Sequence, residues 1–210
     1  MAGCARGCAT AGRAIRTGAS EVTPSSARPR RIRAVLSLLA ASLPLLAVAR
    51  VPMAYAASNL EYAVKATFLL KFPAFITWPE SSPQSTFNVC VVGPNPFNGL
   101  LREAAAGQIV EHRPIAVRLL ATASSASGCQ VMFVAGPDTQ SIAAALRAVR
   151  GTPVLTVTDG QSDPDARGII NFVLSDERVR FDVDLRAAAA NGLSISSKLL
   201  GIALHVFGNA

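Results

Sequence analysis

His112 and His205 are all the imidazole that the 210-residue sequence holds. Neither has a cysteine or carboxylate at zinc-site spacing, so both read as satisfied or exposed side chains rather than ligands. The most acidic stretch is Asp159-Gly160-Gln161-Ser162-Asp163-Pro164-Asp165. Its three carboxylates follow a strand, where open α/β sheets bind ligands. It lacks the bidentate glutamate and the central glycine at the offsets of a calcium loop, and reads as a solvated turn. No metal and no cofactor is expected. Gly93-Pro94-Asn95-Pro96-Phe97-Asn98-Gly99 joins a strand to a helix as a phosphate loop does. Its two prolines remove the N–H donors that a phosphate needs, which leaves a rigid turn. Ser196 and Lys198 have the composition of a serine–lysine dyad. Side chains two apart on a helix do not face each other, however, so Ser196, Ser197 and Lys198 read as a helix start capped by Ser194 or Ser196. No Gly-x-Ser-x-Gly occurs. Nothing meets the requirements of a catalytic constellation, and no enzyme is expected.

The cysteines point to the compartment. Cys4 and Cys8 lie near the start of the chain, and only Cys90 and Cys129 follow residue 56. An even pair in an exported domain is most simply a disulfide; the alternative is two buried free thiols. No Cys-x-x-Cys is present to support redox catalysis.

Charge gives the same picture. The chain carries a formal +7, but the first 56 residues hold eight arginines against Glu21 alone. Of the chain's 20 basic and 13 acidic residues, 12 of each remain from Ala57 onward. A balanced domain lacks the field needed to neutralise phosphates, which excludes nucleic acid as a partner. The basic segment has the order of a secretory leader. Arg28, Arg30, Arg31 and Arg33 precede an apolar run over 34–49, and Ala54-Tyr55-Ala56 supplies the small-x-small cleavage pattern. The run is shorter than the ~20 residues a membrane anchor requires. Residues 1–56 are therefore expected to be a removable leader with translation starting near Val22, and 57–210 one exported domain.

The elements that must position these residues follow from periodicity. A helix is expected over 60–72, a strand over 87–92, a helix over 97–106 and strands over 115–120 and 131–135. A helix capped by Asp138 should run to 149, before a strand over 154–157. Residues 169–174 and 179–185 read as a β-hairpin, with Val179, Phe181, Val183 and Leu185 inward and Arg180, Asp182 and Asp184 wet. A helix over 197–206 should close the chain. This rhythm predicts a single three-layer α/β domain: a mostly parallel central sheet with a C-terminal β-hairpin and helices on both faces.

Three stretches together resemble the YfiR family. They are Glu61-Tyr62-Ala63-Val64-Lys65-Ala66-Thr67-Phe68-Leu69-Leu70-Lys71-Phe72 with Ile76-Thr77-Trp78-Pro79, then Phe87-Asn88-Val89-Cys90-Val91-Val92-Gly93, and then Gly168-Ile169-Ile170-Asn171-Phe172-Val173-Leu174. Val179-Arg180-Phe181 and Ile195-Ser196-Ser197-Lys198-Leu199-Leu200 complete the third. The resemblance implies a periplasmic regulator rather than an enzyme. Such a protein binds the periplasmic sensor domain of an inner-membrane diguanylate cyclase and keeps it inactive, and an outer-membrane lipoprotein can sequester it. It also implies a homodimer, and a disulfide family pair that Cys90 and Cys129 match. A second, late cysteine pair found in some members is absent here. Arg178, Arg180 and Asp182 on the hairpin, with the N-terminal helix, become candidate partner-binding surfaces. The competing reading is a periplasmic small-ligand binder using the strand ends near Gly93-Pro94 and Asp159-Gly160.

Overall fold

The computed structural model describes residues 53–79, 84–136 and 139–208. Residues 1–52 of the expected leader and the expected cap Asp138 lie outside them. Residues Arg50–Ala210 make one compact unit.

Helix α1 (Met53–Lys71) opens this unit and runs into a 3-10 turn, Phe72–Phe75. The strands follow in order: β1 (Ile76–Thr77), β2 (Phe87–Val92), β3 (Ile109–Val110), β4 (Arg113–Leu120), β5 (Val131–Val134), β6 (Leu155–Asp159), β7 (Ile170–Ser175), β8 (Arg178–Asp184), β9 (Ser194–Ile195) and β10 (Val206–Phe207). Among them lie helices α2 (Leu100–Ala105), α3 (Ile142–Ala148), α4 (Leu185–Ala190) and α5 (Ser197–Leu200). The main sheet has the order β10-β8-β7-β6-β5-β2-β4-β3. Strands β4, β2, β5, β6 and β7 pair in parallel, β8 turns back antiparallel to β7, and β10 runs parallel to β8. The first parallel strand, β2, is thus flanked by the second and third, a flavodoxin-like order whose direction reverses between β2 and β5. The short pair β1–β9 ties the end of the first helical segment to the start of α5.

Strands β2 and β5 are buried along their whole length, as continuous apolar runs in a sheet covered on both faces must be. Val89, Val91, Val131, Phe133, Leu155 and Val157 join Ala66 and Leu69 of α1, Phe72 of the 3-10 turn and Leu101 of α2 in one core. On the opposite face Cys90, Val92, Met132 and Val134 pack with Ala145 of α3. The α1 side is aromatic: Phe68 and Phe72 lie with ring centroids 5.2–6.2 Å from Phe172 and Phe181. Each such pair adds about 0.5–1.5 kcal/mol beyond the area it buries. The three-layer α/β expectation holds.

Several boundaries differ, each for a local reason. Helix α2 starts three residues later than expected. Asn95 Oδ1 accepts from the Phe97 N–H at 3.0 Å and Asn98 sits at φ 51°, so the chain turns before it coils. Strand β4 begins earlier because β3 and β4 form a two-residue hairpin around Glu111 and His112. Both sit at positive φ, as a type I′ turn demands. Helix α3 is capped by Ser141, whose side chain accepts from Ala144 N. Leu185, expected to end the hairpin, instead opens α4: Asp184 Oδ1 accepts from Ala187 N at 2.9 Å and an alanine run follows. The expected helix over 197–206 stops at Leu200. Leu204 N then donates to Phe181 O and His205 O accepts from Val183 N, which lays β10 along β8.

One glycine is fixed by close approach. Gly93 has φ +84°, and a Cβ there would lie 2.6 Å from the Gly136 carbonyl oxygen. The ends of β2 and β5 can therefore meet at the switch point only with a bare backbone.

Candidate functional site

The C-terminal ends of the parallel strands are where a doubly wound sheet offers a site, and here α1 crosses them. Helical spacing puts Glu61, Tyr62 and Lys65 on neighbouring turns, and β6 delivers Asp159 from 94 residues away. Lys65 is 2 % exposed. Its ammonium donates to Asp159 Oδ1 and Oδ2 at 2.7 and 2.6 Å, and to Glu61. It also lies 4.7 Å from the Tyr62 ring centroid, and Tyr62 donates its hydroxyl to Asp159 Oδ2 at 3.3 Å. Burial works to lower the Lys65 pKa, but hydrogen bonds to Asp159 and Glu61 outweigh it and hold the value above the ordinary one. Burial, followed by the Asp159 charge, pushes the Tyr62 phenol up.

An ammonium with its donors engaged by two carboxylates is a fastener, not a nucleophile: it pins the first helix to the sheet. A stability consequence follows. Both folded-state values are raised, so these groups stabilise the fold fully below their unfolded values of about 10. That contribution is lost as pH rises through the folded values. Thermal unfolding across pH 8–11.5 should show a melting temperature that falls above pH ~10 in the wild type. The fall should be shallower in Lys65→Met, and an identical slope in both proteins contradicts the assignment.

Of the turns Gly93-Pro94 and Asp159-Gly160, expected to flank a crevice, Pro94 and Asp159 reach one cavity. Tyr62, Pro94, Asn95, Pro96, Phe133 and Asp159 line a cavity of about 220 Å³. That is below the ~300 Å³ at which small-molecule sites begin, and its one carboxylate is already committed to Lys65. Asp163 caps a 3-10 turn by accepting from Asp165 N, and no group of three metal-binding side chains occurs among the described residues.

Cys90 and Cys129 are joined as a disulfide, Cα–Cα 5.9 Å, tying β2 to the segment that enters β5. Ser196 caps α5, its Oγ accepting from Lys198 N at 3.3 Å, while Ser197 and Lys198 are exposed. On the hairpin Arg178 is exposed and Arg180 half-buried. Asp182 departs from the expected wet face. It is 8 % exposed and bonded to His205 Nδ1 at 2.8 Å, because β10 brings His205 alongside β8.

The Lys65 cluster was not singled out from sequence. The Glu61–Lys65 spacing was visible, but nothing along the chain links it to Asp159.

These features define a disulfide-linked, doubly wound α/β domain whose principal buried cation is neutralised within the fold. A family model described as YfiR/HmsC-like (DUF4154) matches residues 62–204, and the chain belongs to that family. No curated protein matches it in a sequence search.

Proposed function

We propose that this protein is a periplasmic repressor that binds the periplasmic sensor domain of an inner-membrane diguanylate cyclase and holds the enzyme inactive. The family match over residues 62–204 carries this reading. The basic leader with its Ala54-Tyr55-Ala56 cleavage pattern and the Cys90–Cys129 bridge support export to an oxidising compartment. No helix among the described residues is long and apolar enough to cross a membrane. Repression needs no chemistry from this chain. A protein that binds the inactive cyclase conformation more tightly shifts the equilibrium by its differential affinity, about tenfold for each 1.4 kcal/mol.

Arg178 and Arg180 form the contact surface toward an acidic partner, with Asp182 positioning the strand through His205. Helix α1 leaves Leu60 and Val64 exposed and serves as the homodimer face. An outer-membrane lipoprotein relieves the block by competing for the same repressor.

Deleting the gene should raise cellular cyclic-di-GMP, and a plasmid copy should restore it. Arg180→Glu should bind the cyclase sensor domain about tenfold more weakly and fail to restore repression. Unchanged binding by the charge-reversed protein removes the hairpin from the interface. Unchanged cyclic-di-GMP on deletion removes the repressor reading.

A further inference from the structure

A second cavity, on the α3 face of the sheet, has a different character. It measures about 460 Å³ and lies among α3, the loop after β6 and α4. Arg147, Arg150, Arg167 and Arg186 line it, together with Asp165 and Asp184. Nine arginines follow residue 56 in a stretch of balanced charge, so four of them at one cavity is a marked concentration.

Their charges are not spent inside the protein. Among the described residues the ion pairs are Lys65–Glu61, Lys65–Asp159, Arg113–Glu111 and His205–Asp182, and none involves these four. Asp184 is occupied with the first turn of α4. Arg167 is held in place: its guanidinium carbon lies 4.7 Å from the Phe207 ring centroid and its Nη2 donates to Ser162 O at 3.2 Å. Its Nε is buried and has no hydrogen-bond partner.

We infer that this cavity is a binding site for a small organic dianion, a phosphate monoester or a dicarboxylate. Four guanidiniums and two carboxylates leave the lining at +2, which a dianion balances. Planar N–H forks recognise such oxyanions in bidentate fashion. The volume lies within the range of small-molecule sites. The site lies at the opposite end of β8 from Arg178 and does not depend on the identity of any protein partner.

Titration calorimetry of the purified protein at low ionic strength, with glycerol 3-phosphate, inorganic phosphate and succinate in turn, tests this. One-site saturable binding is expected. The double variant Arg147→Gln/Arg150→Gln should weaken it by about tenfold or more. Both side chains are exposed and unpaired, so the variant should keep the wild-type melting temperature. Arg102→Gln, on α2, should bind as the wild type does. Tighter binding of glycerol 3-phosphate assigns the site to phosphate esters, and tighter binding of succinate to dicarboxylates. Absence of saturable binding for all three anions overturns the proposal, as does equal weakening by Arg102→Gln.

Discussion

Replacing both Cys90 and Cys129 by alanine should lower the stability of the domain by about 4 kcal/mol in the chain-entropy model. The bridge closes a loop of 39 residues, and it is the loss of this restraint on the unfolded chain that dominates. The native state offers little compensation. Cys90 is fully buried and Cys129 nearly so, packed with Met132, Val134 and Ala145, and an alanine pair leaves a small void where the sulfurs were. For a domain of this size the melting temperature should drop by roughly 8–16 °C. Scanning calorimetry of the variant, and of the wild type after reduction, checks this. A shift under 3 °C in both would mean that the unbridged chain is already restrained in some other way.

Lys65→Met should cost about 2–3 kcal/mol, an unusual penalty for a change of similar shape. The methionine keeps most of the apolar contact along the stem. What it removes is the counter-charge to Asp159 and Glu61, which are 22 % and 25 % exposed and so only partly relieved by water. Partial exposure is why the figure sits below the 3–5 kcal/mol of a fully buried broken pair. Adding Asp159→Asn to Lys65→Met should recover part of the loss, since the orphaned carboxylate is then gone. Urea unfolding of the single and double variants reads this as a coupling energy. Strictly additive losses would show that the pair does not interact.

Which features were legible along the chain follows a physical divide. The core strands were readable because a strand buried on both faces has to be a short apolar run, as Val131–Val134 is. The disulfide was readable as the simplest fate of the two cysteines that follow residue 56. Helix α4 was not, because Asp182, Asp184 and Leu185 continue the alternation of the hairpin until Asp184 turns its carboxylate to the backbone of Ala187. The last strand was hidden for a related reason: residues 199–206 have helical apolar spacing, and only the open edge of β8 draws Val206 into the sheet. The local signal favoured the helix, and the tertiary hydrogen bonds prevailed. The Lys65–Asp159 clamp and the arginine cavity were out of reach of spacing arguments altogether. Their members are brought together by the crossover order of the strands, which no local pattern encodes.

The clamp between the first helix and a strand 94 residues downstream has a consequence for how the molecule is made. Polypeptides emerge amino end first, so α1 appears before any of the surface it is destined to cover. Its lysine waits for Asp159, and Phe68 and Phe72 wait for Phe172 and Phe181. Helix α2 and the first core strands cover part of this apolar helix early, but its aromatic end has no native partner until β7 and β8 are made, and contacts so far apart close slowly. Mature chains truncated before residue 155 should therefore cling to holdase chaperones and resist release, whereas chains extended past residue 185 should let go.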